Sequence, residues 1–161
     1  MAKGLEVLDN IDIAIKDLKS IKIGIVAARF NTEIIDHMIS GAETHLASLG
    51  IKKSNIDIFR VPGAFELPLA AKICAESNKY DGLIAFGSVI RGDTDHYIYI
   101  CNESVRGLMK VMLKFNIPVA MGVLTTDTYQ QAMQRADIKQ ENKGAEITRS
   151  LLEMIELKNK F

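Results

Sequence analysis

The sequence predicts an α/β fold: a three-layer sandwich in which helices flank both faces of a four-stranded parallel sheet. Two observations predict it. Four short, largely apolar runs have the length and composition of strands, and they occupy residues 21–28, 55–61, 82–87 and 119–124. Each run is followed by a segment with apolar residues three or four positions apart, as in an amphipathic helix. Strands that alternate with helices pair in parallel, and the connecting helices cover both faces of the sheet.

Length and composition set the class of protein. The 161 residues are enough for one domain with its own core, so we expect a single domain over residues 1–161. Hydrophobic residues make up 48% of the chain, which excludes a disordered protein. The 20 basic and 20 acidic side chains balance, and no cluster of Lys or Arg stands out. Nucleic acid and anionic membranes are therefore poor candidates as partners, whereas a small anionic substrate needs only one or two cations.

The sequence also predicts a cytoplasmic protein. Its first residues lack a cationic-then-apolar leader, and no apolar run approaches the roughly 20 residues that a membrane helix needs. Cys74 and Cys101 are too few and too far apart for a zinc site or a redox pair, so we expect reduced thiols buried within helices.

The chain begins with a weakly patterned segment, residues 1–20, that carries no candidate chemistry. Alternation of its apolar residues predicts a short N-terminal edge strand. The alternating residues are Leu5, Val7, Ile11, Ile13 and Ile15.

The first buried strand leads into a long helix. Asn31 is a residue type that commonly caps helices, and Gly50 is expected to end this one. Taken alone, Phe30 at the end of a strand is more often a core residue than a ligand contact. His37 and His45 fall on the polar side of the helix, where we expect solvated side chains.

The second strand ends in a turn that contains Glu66 and Pro68. Pro68 suits the first turn of a helix, because the N–H that proline lacks would be unpaired there. Glu66 has two interpretations: it complements the helix dipole, or it accepts hydrogens from substrate hydroxyl or amine groups. The motif alone slightly favours the first.

The third strand and the residues after it carry most of the candidate chemistry. The apolar run at residues 82–87 leads into a polar turn at 88–96. Such a turn at a helix start holds anions, because the N–H groups and the positive end of the helix dipole point at the ligand. Gly87 and Gly92 are spaced as in a nucleotide-binding P-loop, but Asp93 stands where that motif needs Lys, so the P-loop interpretation fails. The apolar residues of the expected helix are Tyr97, Cys101, Val105, Leu108 and Met112.

His96 stands at the mouth of this turn. A lone histidine at a helix start usually caps the helix or faces solvent, but the adjoining anion site favours a proton relay. The positive end of the helix disfavours imidazolium, which keeps a neutral base available. Asp93, Asp95 and His96 could instead bind a divalent metal, but adjacent ligands in one turn rarely converge on one ion.

The fourth strand is followed by two helices, and its end completes a rim. Residues 125–127 are expected to cap a short helix that contains Tyr129, Ala132 and Met133. The apolar residues of the last helix are Ala145, Leu151, Leu152 and Ile155.

In parallel sheets, ligands bind outside the carboxyl ends of the strands. Four segments fall at such ends and together predict one binding rim: residues 29–31, 63–66, 88–96 and 125–127.

These rim segments, in this order and spacing, resemble the 6,7-dimethyl-8-ribityllumazine synthase family, from about Ile21 to the last helix. The motifs that carry the resemblance are Arg29-Phe30-Asn31, Val61-Pro62-Gly63-Ala64-Phe65-Glu66, Val89-Ile90-Arg91-Gly92 with Thr94 and His96, and Asn142-Lys143-Gly144. The resemblance implies a flavodoxin-like sheet and a transferase of riboflavin biosynthesis that acts at the penultimate step. The implied reaction condenses 5-amino-6-(D-ribitylamino)uracil with 3,4-dihydroxy-2-butanone 4-phosphate and releases phosphate and water, without metal or organic cofactor.

The resemblance also implies roles for individual residues. Phe30 would stack on the pyrimidine ring, Glu66 would take the ribityl hydroxyls, and His96 would be the catalytic proton shuttle. Other substrate contacts would come from the backbone of Ala64 and Phe65 and from Ser88, Val89 and Ile90 at the pyrimidine edge. The N–H groups of Asp93 and Thr94 would hold the substrate phosphate together with Arg135.

The resemblance further implies an oligomer built on pentamers, because part of the site comes from an adjacent subunit. The residues that would cross over are Met121, Arg135 and Lys143. This chain departs from the family at four positions: Met121 replaces an aromatic residue, Ile98 a commonly acidic one, and Asp137 and Glu141 two glycines. Loss of glycine restricts the backbone, and Asp137 adds negative charge near the phosphate-binding residues.

Two other hypotheses come from different classes of protein. The same sheet and turn could serve a flavin- or lumazine-binding module without catalysis, or a shell-forming scaffold whose site has decayed. Glu66, His96 and Arg135 together disfavour the scaffold, because a decayed site has no physical need of all three. Tight binding of the product without turnover would indicate the binding module.

Overall fold

The computed structural model describes residues 18–161. Its strands are β1 (Ile23–Ala28), β2 (Ile56–Val61), β3 (Gly82–Ile90) and β4 (Val119–Thr126). Its helices are α1 (Thr32–Ser48), α2 (Leu67–Glu76), α3 (His96–Phe115), α4 (Tyr129–Ala136) and α5 (Lys143–Lys158). All four strands are parallel, in the order β2-β1-β3-β4, which confirms the predicted sheet. The alternating residues that predict an N-terminal strand, Leu5 to Ile15, fall outside this range. Leu18–Ser20 form a 3₁₀ turn before β1.

Helices cover both faces of the sheet, and each face has its own apolar core. One core lies under α1, α4 and α5 and includes Ile35, Leu46, Ala132, Leu152 and Ile155. The other lies under α2 and α3 and includes Leu67, Ala71, Leu108 and Val111. Every residue of the central strand β1 is buried, which explains its uninterrupted apolar run. The three-layer architecture is therefore confirmed.

The close crossing of α1 and α5 depends on a glycine. A Cβ built on Gly144 would lie 2.2 Å from the carbonyl oxygen of Met38, so any side chain there would push the helices apart. Asn142 precedes it in the left-handed conformation, with φ 46°, and its side chain accepts a hydrogen bond from the N–H of Ala145. Helix packing and helix capping therefore explain two residues of the Asn-Lys-Gly motif at 142–144.

Two boundaries differ from those expected. β3 continues through Ile90, because residues 88–90 pair with residues 124–126 of β4. The end of β4 is likewise paired, and α4 is capped by Thr128, whose hydroxyl accepts a hydrogen bond from the N–H of Gln131. The prediction that residues 125–127 cap this helix is therefore wrong. Polar side chains at both strand ends break the apolar pattern that marks a strand.

Two predictions about helix faces are wrong in part. In α3 the buried residues are Ser104, Leu108 and Val111, whereas Cys101 is only half-buried. His45 of α1 is also half-buried, and its Nε2 has no hydrogen-bond partner within residues 18–161. Burial, and to a lesser extent the positive charge of Arg149, lower the pKa of His45 below its usual value.

No helix in the described range is long and apolar enough to cross a membrane.

Candidate active site

A cavity of about 550 Å³ opens at the carboxyl ends of β1, β2 and β3. The residues that line it are Phe30, Asn31, Pro62, Gly63, Ala64, Phe65, Glu66, Ser88, Val89, Ile90, His96 and Ile100. Three of the predicted rim segments, residues 29–31, 63–66 and 88–96, therefore contribute to one cavity. The fourth, residues 125–127, does not line it.

Phe30 offers an exposed aromatic ring in the wall of this cavity, with 74% of the residue accessible to solvent. The expectation that a lone Phe30 is a core residue is therefore wrong. Its N–H donates to the carbonyl of Pro62 at 3.2 Å. Asn31 adopts the left-handed conformation, with φ 58° and ψ 45°, and donates from Nδ2 to the carbonyl of Ser88 at 2.9 Å. Asn31 therefore anchors the turn that carries Phe30 and makes no side-chain cap on α1.

Glu66 closes the turn after β2. Its Oε2 accepts a hydrogen bond from the N–H of Gly63 at 2.9 Å, across a 3₁₀ turn formed by Ala64–Glu66. Within residues 18–161 no hydrogen bond engages Oε1. Glu66 therefore satisfies the start of this 3₁₀ turn with one oxygen and leaves the other for a ligand. Phe65 beside it is exposed, and Ala64 is buried.

Ser88 places a buried hydroxyl in the wall of the cavity. The residue is only 4% exposed, and its Oγ has no hydrogen-bond partner in the part of the chain that the structure describes. A buried hydroxyl left unpaired costs about 1–3 kcal/mol, and native proteins seldom keep one without a reason. A ligand that hydrogen-bonds to Oγ would satisfy this group.

The residues between β3 and α3 form a turn with unpaired backbone donors. In the described range, the N–H groups of residues 92–95 have no hydrogen-bond acceptor, and their side chains are exposed. These donors lie at the N-terminus of α3, a helix of 20 residues, where the dipole favours an anion. His96 is the first residue of α3 and lines the cavity. Its ring makes no hydrogen bond to any residue in the described range, so both nitrogens are available to a ligand.

A cation at the start of this turn is already paired. Arg91 donates from Nε to Oδ1 of Asp127 at 2.8 Å, and its guanidinium lies 4.2 Å from the ring centre of Tyr97. The hydrogen bond to the Asp127 carboxylate raises the pKa of Arg91, and burial raises the pKa of Tyr97. Both groups therefore keep their protons at neutral pH.

Five predicted site residues do not line the cavity of their own chain: Asp93 and Thr94, which belong to the turn described above, and Met121, Arg135 and Lys143. Met121 sits in the middle of β4, opposite Ala85, and half of it is exposed. Arg135 of α4 donates from Nη1 to the carbonyl of Gln131 at 2.8 Å. Lys143 donates to Oε2 of Glu146 at 2.5 Å. Among residues 18–161, no group of three or more His, Cys, Asp or Glu side chains is placed to hold a metal ion.

The loop after α4 accommodates its non-glycine residues without backbone strain. Asp137 has φ −60° and ψ 125°, and neither it nor Glu141 is among the residues with positive φ. The Asp137 carboxylate accepts hydrogen bonds from the N–H of Lys139 at 2.9 Å and from Nε2 of Gln140 at 3.0 Å. The first of these bonds is the main cause of a lowered Asp137 pKa.

Four residues that line the cavity were not predicted as ligand contacts: Asn31, Pro62, Gly63 and Ile100. Ile100 had a usable signal, because it lies four residues after His96 and so on the same face of α3. Asn31, Pro62 and Gly63 belong to rim motifs, but their types also suit turns.

Comparison with known proteins identifies relatives of the chain. The family described as 6,7-dimethyl-8-ribityllumazine synthase matches residues 20–159. A protein of that name from Leuconostoc mesenteroides subsp. mesenteroides is 50% identical over 136 residues, which span 84% of this chain and 87% of the relative. Another, from Nitratidesulfovibrio vulgaris, is 48% identical over 139 residues, or 86% of this chain and 89% of the relative.

Proposed function

Because the chain belongs to the 6,7-dimethyl-8-ribityllumazine synthase family, we propose that it catalyses the reaction for which that family is named. It condenses 5-amino-6-(D-ribitylamino)uracil with 3,4-dihydroxy-2-butanone 4-phosphate and releases phosphate and water. The protein is then a transferase of riboflavin biosynthesis that uses its own side chains and backbone, without a cofactor.

One observation carries this proposal: a single cavity combines an exposed aromatic ring, an unpaired buried hydroxyl and a histidine beside unpaired backbone donors. Phe30 stacks on the pyrimidine ring, as its exposure allows. Oε1 of Glu66 accepts hydrogen bonds from the ribityl hydroxyls. The pyrimidine edge is lined by the backbone of Ala64 and Phe65 and by Ser88, Val89 and Ile90.

The phosphate of the second substrate binds to the turn between β3 and α3. The N–H groups of Asp93 and Thr94 donate to its oxygens, and the N-terminus of α3 favours its charge. A phosphate at this position lies beside the His96 side chain. Arg135 supplies a neutralising cation, which the exposed carboxylates of Asp93 and Asp95 make necessary.

His96 moves the protons of the reaction. Imine formation, loss of phosphate and ring closure each transfer protons near neutral pH, where imidazole is an effective relay. The ring of His96 reaches the cavity from the first position of a rigid helix, which fixes its place relative to both substrates. Holding the two substrates in register accounts for most of the rate, and acid–base transfer contributes about 10²–10⁴-fold.

The complete site forms between adjacent subunits of an oligomer built on pentamers. Asp93, Thr94, Met121, Arg135 and Lys143 do not line the cavity of their own chain. Asp93 and Thr94 belong to the turn beside it, and Met121, Arg135 and Lys143 are proposed to serve the cavity of a neighbour. Large apolar side chains are exposed on α2 and α3, and these surfaces suit burial against another subunit: Leu69, Ile73, Tyr99 and Leu113. Residues 1–161 form one domain of this oligomer. We propose that the protein is cytoplasmic, where Cys74 and Cys101 are reduced thiols.

The test is a product assay with purified protein. Mixing it with both substrates should yield the absorbing, fluorescent lumazine and an equal amount of phosphate, faster than the spontaneous reaction. No acceleration would reject the enzyme, and tight binding of the product without turnover would identify a binding module instead.

A further inference from the structure

The turn that carries the unpaired N–H groups contains one strong cation, and its guanidinium is already engaged by other side chains. Arg91 is the only Lys or Arg in residues 88–96. In an anion site such a side chain ordinarily binds the ligand. Here its Nε donates to Asp127 at 2.8 Å and its guanidinium stacks on the ring of Tyr97 at 4.2 Å. Its charge is thus already neutralised within the chain.

Asp127, the partner of Arg91, is held by its own surroundings. Its N–H donates to Oε1 of Gln131 at 2.9 Å, in the capping box that starts α4. The hydroxyl of Thr126 donates to the carbonyl of Thr128 at 3.0 Å, which tightens the same loop. The carboxylate therefore projects from a fixed point at the end of β4.

Arg91 also joins the two ends of the turn. Its N–H donates to the carbonyl of Thr126 at 2.9 Å, which continues the β3–β4 pairing by one more bond. Tyr97, which its guanidinium covers, lies in the first turn of α3. Between these ends, residues 92–95 make no backbone hydrogen bonds as donors in the described part of the chain. A Cβ built on Gly92 would meet nothing within 4 Å, so packing does not hold the turn either.

We propose that Arg91 is a positioning residue: paired with Asp127 and stacked on Tyr97, it fixes the conformation in which the N–H groups of Asp93 and Thr94 converge on phosphate. This role rests on the proposed function. Both partners are about half or more exposed, so the pair contributes little to stability and its effect falls on the geometry of the turn.

The variant Asp127→Asn distinguishes two roles for Arg91: holding the turn in place, or binding the substrate phosphate directly. If Arg91 holds the turn, this change should raise the KM for 3,4-dihydroxy-2-butanone 4-phosphate about tenfold, because a small displacement weakens several hydrogen bonds together. The KM for the pyrimidine substrate should stay within twofold, since Phe30 and Glu66 lie on other segments and residues 88–90 are held by their pairing with β4. If Arg91 bound phosphate itself, freeing it from Asp127 would leave the KM unchanged or lower it. That result would overturn the proposal.

Three further measurements complete the test. Arg91→Gln should match Asp127→Asn, and the double variant should be no worse than either single one, because both remove the same contact. Inhibition by inorganic phosphate should weaken in the same variants, in parallel with the rise in KM for the phosphorylated substrate. An equal rise in the KM for both substrates would indicate general damage to the site and would contradict the proposal.

Lys79→Gln is the matched control, since Lys79 and Asp57 form an exposed ion pair at the opposite end of the sheet. Inactive wild-type protein would refute the proposed function, whereas active wild type with an unaltered Asp127→Asn would refute only this inference.

Discussion

The side-chain amide of Asn31 donates a 2.9 Å hydrogen bond to the backbone carbonyl of Ser88. This bond joins the turn after β1 to the end of β3, and it does so from a left-handed backbone that Asn tolerates better than most residues. The two segments carry the aromatic ring of Phe30 and the unpaired hydroxyl of Ser88. Beyond the pairing of β1 with β3, this side chain therefore helps to set their relative position.

Asn31→Ala should lower the free energy of unfolding by about 2 kcal/mol, from the lost hydrogen bond and from strain at positive φ. Asn31→Gly is the matched control: it loses the same bond but adopts the backbone conformation easily, so it should lose only about 1 kcal/mol. Urea unfolding measures both. Equal stability of the two variants would show that the left-handed conformation is not maintained in solution.

Ser88→Ala should affect substrate binding without lowering the stability of the fold. Removing a buried hydroxyl that has no partner should leave the free energy of unfolding unchanged or raise it by about 1 kcal/mol. The same change should raise the KM for the pyrimidine substrate, because the substrate would lose the hydrogen bond that we propose it makes to Oγ. A marked loss of stability with an unchanged KM would mean that Oγ is satisfied within the protein.

His96→Ala should lower kcat by about 10²-fold or more, since it removes the side chain that we propose as the proton relay. The variant should keep the wild-type size in sedimentation and the wild-type unfolding midpoint, because the ring makes no hydrogen bond in residues 18–161. Unchanged turnover would remove His96 from the mechanism.

His45 should make stability depend on pH. Burial and the charge of Arg149 lower its pKa in the folded state, so below about pH 6.5 the unfolded chain takes up a proton that the folded chain does not. Its contribution to stability is present above pH 6.5 and is lost as the pH falls towards the folded pKa. His45→Gln should flatten the pH dependence of the unfolding free energy between pH 7 and 5. An identical slope in the two proteins would contradict this cause.

Much of the fold follows from the sequence, because apolar runs and helical periodicity report burial directly. β1 and the first half of β3 are buried on both faces, as their apolar runs predict. The end of β3 was missed because polar Ser88 interrupts the run, although pairing with β4 keeps it extended. Whether Asn31 caps a helix or takes the left-handed conformation depends on a carbonyl 57 residues away.

The residues of the candidate site were predicted mainly from motifs that resemble a known family, and less from the physical properties of each residue. Phe30 alone has the features of a core residue, and only the position of its turn at the strand ends exposes it. The pairing of Arg91 with Asp127 spans 36 residues and depends on the register of β3 against β4, which no local pattern contains. Sequence periodicity likewise does not tell which side chains meet a neighbouring subunit.

The central claim is that one site takes His96 from one subunit and Arg135 from the next, and complementation tests it directly. His96→Ala and Arg135→Ala subunits, each impaired alone, are co-expressed and assayed at low concentration of the phosphorylated substrate. In randomly mixed oligomers about one quarter of the sites should contain both wild-type residues, so activity should recover to about that fraction of wild type. If mixed oligomers are no more active than the two parent variants, both residues serve the same chain and the shared site is wrong.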